Sequence, residues 1–283
     1  MNKKTENTSP LVTVAMVTYN SSLYVRQAIE SVLANKYANI ELIISDDCST
    51  DNTWQIITEY NDNRIVTVRH ETNIGEYPNR NFCLQMATGK YIIYIDGDDK
   101  LNPEGLGSAV KEIEKYKDCG MLISRDYDEY RLFSSEECMR KHYLTNYSML
   151  NLALVYDLIN RDFFLRLGGF STKYKSGDDY ARLLMATHYS VLIQPSGLAW
   201  WRLSPNSASQ KLFKSFSGVS EPFEIKFYFL KMQSYLSNSE VRMAHRKIFY
   251  KIYLVIRSLV KRGRIAWIFL LLYKVLKWRG RIV

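Results

Sequence analysis

Tyr91-Ile92-Ile93-Tyr94-Ile95-Asp96-Gly97-Asp98-Asp99 is an apolar run that stops abruptly in three carboxylates. Five β-formers in a row predict a buried strand, and the C-terminal edge of an α/β sheet is where ligands sit. Three acids at that edge repel one another and raise each other's pKa unless a cation lies among them. Hard oxygen donors with no thiolate or imidazole suit Mg²⁺ or Mn²⁺, ions that commonly hold a substrate phosphate as well. A solvated acidic turn would use the same residues, so the flanking sequence has to decide.

Outward from this stretch, short apolar runs alternate with amphipathic ones, the pattern of a mostly parallel sheet flanked by helices. Val12 to Thr18 predicts a first strand, followed by a helix capped at Ser21 or Ser22 with Leu23, Val25, Ile29, Val32 and Leu33 on one face. Ile40 to Ser45 and Ile65 to Val68 predict two more strands, with a helix through Trp54, Ile56 and Ile57 between them. A helix from about Asn79 to Ala87 precedes the Tyr91 strand, and Asn102-Pro103 predicts the cap and first residue of a helix reaching Lys117. Met121 to Ser124 reads as extended, Arg161 to Phe170 as a helix closing on Gly168-Gly169, Asp178 to His188 as a helix and Val191 to Ile193 as a strand. Ser134 to Tyr156 yields no clear pattern. From Pro222 the chain turns to long helical segments.

The chain has 283 residues, enough for one large α/β domain and an appendage, and 47% apolar with 24% charged residues is a globular composition. The expected division is a disordered stretch 1–10, a catalytic domain 11–221 and a basic helical tail 222–283. That tail holds fourteen Lys/Arg against Glu224 and Glu240, a net +12; with +9 overall, the remainder carries −3. The basic character therefore belongs to the tail and not to the acid-rich site. Cys48, Cys83, Cys119 and Cys138 are scattered without a CxxC pair, which predicts reduced, apolar-packed thiols and no zinc site. Residues 1–10 are polar with no apolar signal core, and no run reaches the ~18 apolar residues of a membrane span. Both point to a cytoplasmic catalytic portion.

Several short pieces occur in a fixed order: Val17-Thr18-Tyr19-Asn20, Ser31-Val32-Leu33, Glu41 to Asp51 (ELIISDDCSTD), Asn73-Ile74-Gly75, Arg80-Asn81, Ala87 to Tyr91 (ATGKY) and Asp96-Gly97-Asp98-Asp99. Gly168-Gly169-Phe170, Gly177-Asp178-Asp179-Tyr180, and Trp201-Arg202 before Pro205-Asn206-Ser207 follow. This ordered set resembles the family 2 glycosyltransferases, inverting enzymes of the GT-A fold, and the likeness covers roughly Leu11 to Ser209. It implies an α/β GT-A sheet with a helical C-terminal appendage. It also implies transfer of a sugar from a nucleotide sugar, a UDP-sugar on this pattern, to a hydroxyl of a saccharide or lipid-linked acceptor in surface polysaccharide synthesis.

By the same resemblance, Tyr19 faces the uracil, where core packing would be the plainer use of a tyrosine. Asp47 would accept the imide N–H of uracil, while Ser49 and Asp51 read as helix caps. Arg80 would pair with phosphate or with the acids, or else form a surface ion pair. Asp98 with Asp96 would ligate the metal, and Asp96 and Asp99 would hold ribose hydroxyls or metal-bound water. Asp179 stands where the family places its catalytic base, after Asp178 in place of the common Glu; first-turn acids that only offset a helix dipole are the alternative. Arg202 would reach the diphosphate or a flexible lid, Trp201 a sugar ring, and the loop Ser204 to Lys214 would order over the donor.

The segment Ile265 to Trp278 would span only ~21 Å as a helix, short of the ~30 Å hydrocarbon core. With aromatics and Lys/Arg at both ends it suits the interface of an anionic membrane, at the inner face of the cell membrane, or packing on the catalytic domain or a second copy. Nucleic acid is not expected, for no recognition motif accompanies the charge. A nucleotidyltransferase making nucleotide sugars would need a Gly-rich basic loop after the first strand, and Val17 to Ser22 offers none. A silent binding module would not need both Asp98 and Asp179. No GxGxxG follows the first strand, against a dinucleotide oxidoreductase.

Overall fold

The computed structural model describes residues 9–145, 150, 153–202, 212 and 214–279. They form two compact units: Met1–Leu132, Ala153–Phe170 and Val191–Arg202 in one, and Phe133–Leu152, Ser171–Ser190 and Leu203–Val283 in the other, in each case the described residues. Most of the stretch 1–10 lies outside the described residues, but Ser9 and Pro10 are tied in: Asn39 Nδ2 donates to the Ser9 carbonyl at 2.6 Å, and the Tyr37 hydroxyl to that of Pro10.

The first unit is built on a sheet whose strands in chain order are β1 (Val12–Thr18), β2 (Ile40–Asp46), β3 (Ile65–Arg69), β4 (Tyr91–Asp96), β6 (Cys119–Arg125), β7 (Arg131–Phe133), β8 (Asp157–Asn160) and β9 (Ser190–Pro195). Their spatial order is β3-β2-β1-β4-β8-β6-β9-β7. β3, β2, β1 and β4 run parallel, and β8 lies antiparallel between β4 and β6. The core strands read as near-continuous β-branched runs because both faces are covered. Val12, Val14 and Met16 turn to one face, where α1 (Val25–Leu33), α2 (Thr53–Thr58) and α4 (Gly105–Ile113) pack through Ala28, Ile29, Ile57, Leu106 and Ala109. The other face carries α3 (Glu76–Met86) and α6 (Arg161–Arg166), where Phe170 packs edge-on to Tyr94 at 5.1 Å and to Phe164 at 5.0 Å. A two-strand ribbon, β5 (Lys100–Leu101) against β10 (Ala199–Trp200), completes the unit.

Three expected helix starts shift. α1 begins at Val25 with no side-chain cap, and Leu23 is 80% exposed, not on the buried face. Ser21 does not cap: Tyr24 holds the cap position, and it is the Ser21 carbonyl, not its side chain, that accepts the Tyr24 and Val25 N–H groups at 2.9 Å. α3 starts three residues before Asn79, which puts Pro78 in the first turn, where its missing N–H costs nothing. α4 starts at Gly105 because Asn102 is spent on the ribbon corner, its N–H donating to Leu198 O and its side chain to Gly197 O.

The second unit is helical: α5 (Ser135–Leu144), α7 (Gly177–His188), α8 (Phe216–Met232), α9 (Asn238–Lys261) and α10 (Ile265–Arg279). The expected boundary at 221/222 falls inside α8, whose Pro222 sits within the helix. Phe227 of α8 gathers His245, Phe249 and Trp278 around it at 5.5–5.9 Å, so α9 and α10 pack on α8 in one body. No described helix is long and apolar enough to cross a membrane.

Candidate active site

Parallel register sets the C-terminal ends of β1, β2 and β4 side by side: Thr18 pairs with Asp46 and Val17 with Asp96. The loops leaving these strands carry the predicted donor residues. Asp46 is fully buried and structural, accepting from Thr18 Oγ1 at 2.9 Å and from the Ser49 N–H at 2.9 Å. Ser49 is thus no helix cap; its hydroxyl also accepts the Asn20 N–H. Asp51 does tie the α2 start, accepting from the Thr53 N–H at 3.0 Å and the Ser22 N–H at 3.1 Å.

Asp47 is buried, and both its oxygens are taken up: Oδ1 by the Ile74 N–H at 2.7 Å, Oδ2 by the Gly75 N–H at 2.9 Å. Gly75 has φ +95°, which explains the glycine of Asn73-Ile74-Gly75. Tyr19 is no core aromatic; it stands half-exposed at the mouth of these loops.

Asp96, Asp98 and Asp99 present ligand oxygens that all lie within 4.8 Å of one another. Gly97 is needed for this turn, since a Cβ there would come within 2.8 Å of Ser21 and 3.0 Å of Thr18 Cγ2. Burial, then the charge of Asp96, pushes Asp98 up to about 6. The same two causes push Asp99 well above the carboxylate range. That is the electrostatic mark of a site short of positive charge, and an all-oxygen donor set fits a hard divalent ion.

Arg80 supplies one cation. It is buried at 3% exposure, donating to Asp96 Oδ1 at 2.7 Å and to Glu76 Oε1 at 3.0 Å. Burial would lower its pKa, but Asp96 and Glu76 more than offset that and hold it charged. Of the three expected uses, the pairing with the acid cluster is present, and the guanidinium is buried where a surface ion pair would leave it exposed. Arg202 closes the other side. Its N–H donates to Asp99 Oδ1 at 2.9 Å and its Nε to the Asp98 carbonyl at 2.8 Å. Its guanidinium lies 4.1 Å from the Tyr24 ring and 4.6 Å from the Trp200 ring. Trp200 is the exposed indole of the pair, while Trp201, expected to face a sugar ring, packs against the core. Of the loop Ser204 to Lys214, residues 204–211 and 213 lie outside the described residues.

In the second unit, Asp178 and Asp179 occupy the first turn of α7. Asp178 lies 3.7 Å from Arg182, one turn on. Asp179 is held above the usual carboxylate range by burial and by Asp178, against the pull of Arg182 and Lys226. Sequence reasoning missed two residues here, one the last residue of the expected catalytic domain and the other in the expected appendage. Glu221 of α8 accepts the N–H groups of Lys175 and Ser176 at 2.7 and 3.0 Å, and Lys226 of α8 is the second cation acting on Asp179. No local signal marks either, because each acts across helices.

The sequence profile named glycosyl transferase family 2 matches residues 13–170. The chain belongs to that family. It is 28% identical, over 257 residues, to the Escherichia coli UDP-Glc:alpha-D-GlcNAc-diphosphoundecaprenol beta-1,3-glucosyltransferase WfaP, covering 89% of this chain and 95% of that one. It is 38% identical over 132 residues to a putative glycosyltransferase EpsE of Bacillus subtilis, covering 44% of this chain and 46% of EpsE. Among solved structures, S. aureus TarS 1–349 in complex with UDP-GlcNAc matches with TM-score 0.69 at 18% identity, over 84% of this chain and 71% of that one. A Pyrobaculum calidifontis mannosyltransferase in complex with GDP-Man and Mn²⁺ matches with TM-score 0.62 at 16% identity, over 95% and 86%. The family 2 assignment makes this protein a glycosyltransferase, and the solved structures share its fold.

Proposed function

We propose that this family 2 enzyme is an inverting, divalent-metal-dependent transferase that moves a sugar from a UDP-sugar to a hydroxyl of a saccharide or lipid-linked acceptor in surface polysaccharide synthesis. The observation that carries the reading is the cluster Asp96, Asp98 and Asp99, with its ligand atoms within 4.8 Å at the end of β4. Asp98 and Asp96 would hold Mn²⁺ or Mg²⁺, which neutralises the charge growing on the departing diphosphate. Arg80 keeps Asp96 in place, and Arg202 keeps Asp99 and the Asp98 backbone in place. The exposed ring of Tyr19 offers a stacking surface for uracil. Asp47 shapes the wall beside it and has a second lone pair on each oxygen for the imide N–H.

Asp179 acts as the base. It takes the proton of the acceptor hydroxyl as that oxygen attacks the anomeric carbon and the bond to the diphosphate oxygen breaks, inverting the centre. A carboxylate pKa raised toward neutrality suits this duty. The WfaP name, a transferase acting on a diphosphoundecaprenol-linked sugar, supports a lipid-linked acceptor and hence work at the inner face of the cell membrane, with the basic helices as the contact.

UDP release from a panel of UDP-sugars with Mn²⁺ tests the proposal. Asp98→Ala is expected to lose both donor binding and turnover. Asp179→Asn is expected to lose turnover while still binding donor. Turnover undiminished in Asp179→Asn, or no binding of any uridine nucleotide with Mn²⁺ present, would overturn it.

A further inference from the structure

Helix α10 has two apolar faces where a soluble surface helix has one. Its inner face, Leu271, Val275 and Trp278, is buried, and Trp278 meets Phe227 of α8 at 5.5 Å. Its outer face carries Ile265, Phe269, Leu272, Tyr273 and Leu276, at spacings of four, seven, eight and eleven from the first, each 42–69% exposed. Five large apolar side chains in one stripe, about 16 Å long, form a contiguous patch that a free monomer has no reason to keep.

The charge around it is one-sided. Between Val241 and Arg279 the sequence has eleven Lys/Arg and no Asp or Glu. Lys261 and Arg262 stand exposed just before α10, and Lys277 near its end. On α9, exposed Tyr250 and Tyr253 lie 6.4 Å apart, with Arg257 over the Tyr253 ring at 5.9 Å, a mixture of aromatics and cations that leads up to the same turn.

We infer that the outer stripe of α10 seats the protein on an anionic lipid bilayer, with the helix lying along the surface. The apolar residues would enter the acyl boundary while Lys261, Arg262 and Lys277 meet lipid phosphates. A second copy of the chain fits less well, because closing the stripe on itself would bring two acid-free basic segments together. A nucleic acid would use the cations but leave the Ile, Phe and Leu side chains in water. The inference deepens the lipid-linked acceptor reading and rests on it for its biological sense, but not for its physics.

The test is sedimentation of the full chain with phosphatidylcholine vesicles and with vesicles in which about a third of the lipid is phosphatidylglycerol, at low and at about 0.5 M salt. Binding to the anionic vesicles alone, weakened by salt, is expected. The exposed-face pair F269E/L276E and the charge reversal K261E/R262E should each lower vesicle affinity at least about tenfold, without changing UDP release on a water-soluble acceptor. Equal partition onto neutral and anionic vesicles, no partition, unchanged affinity in both variants, or a dimer that F269E dissociates would overturn the inference. Should vesicle binding follow the pattern while no UDP-sugar is turned over, the enzyme reading fails and the surface assignment stands.

Discussion

The Glu221 carboxylate accepts the backbone N–H of Ser176 at 3.0 Å, immediately before the helix that presents Asp178 and Asp179 begins. The same oxygen accepts from Lys175, so one buried side chain of α8 satisfies two donors at the N-terminus of α7, whose Ser176 provides no side-chain cap. Removing it takes a shared acceptor from both N–H groups and lets the first turn drift, which for a base means misalignment. Glu221→Ala should lower kcat about ten- to a hundredfold with the donor KM changed less than about twofold. Glu221→Gln keeps an acceptor oxygen and should restore most of kcat. Equal kcat in Glu221→Ala and the parent protein would refute the positioning role.

Arg80 and Asp96 form an ion pair with one member buried at 4% side-chain exposure and the other 45% exposed. Because Asp96 keeps contact with solvent, losing Arg80 should cost less than breaking a fully buried pair, about 2 kcal/mol of stability. Denaturant unfolding of Arg80→Met would measure it. Metal-dependent UDP binding should weaken in the same variant, since Asp96 loses the donor that fixes its rotamer. Calorimetry with and without Mn²⁺ separates the two effects.

Stripping divalent ions with a chelator should abolish turnover, and restoring Mn²⁺ should recover it. The resting cluster repels itself, with Asp98 raised to about 6 by burial and by Asp96. A cation therefore competes with protons, and the thermal stabilisation given by Mn²⁺ should grow between pH 5 and 7.5. A melting temperature indifferent to Mn²⁺ at both pH values would exclude ion binding at this cluster.

The proposed donor half of the site was legible in the sequence for a physical reason. β1, β2 and β4 are buried on both faces, so their runs of β-branched residues stand out, and their acids follow directly at the strand ends. Gly97 and Gly75 carried their close approach and positive φ into the sequence as glycines. What escaped depends on partners distant along the chain. The β5–β10 ribbon joins residues about a hundred positions apart by two short strands that no local pattern marks. Ser21 looked like a cap but offers the start of α1 its carbonyl and not its side chain. Pro222 looked like a boundary but lies within α8. Helix α5 is the exception, since Ser134 and Glu137 form a capping box whose Ser-x-x-Glu spacing was there to be read.

Asp179 gives a prediction in which stability and activity move in opposite directions. Burial and the neighbouring Asp178 hold its carboxyl above the ~4 of a free aspartate. A carboxyl whose folded pKa is raised favours the folded state only while protonated, so its contribution is present at low pH and is lost as pH rises through the folded value. At pH 7.5 the ionised group is therefore a burden on the fold, and Asp179→Asn, which stays neutral, should melt about 2–4 °C higher than the parent protein there, with the gap closing toward pH 4. Turnover runs the other way. The base must be ionised, so kcat should fall as pH drops through a value above the ordinary aspartate range, and Asp179→Asn should lose at least about a hundredfold in kcat at every pH. Melting curves and kcat profiles on the same two proteins check both. An Asp179→Asn protein that is less stable at pH 7.5 would overturn the raised carboxyl pKa, and one that keeps the parent's turnover and pH profile would remove Asp179 from the role of base.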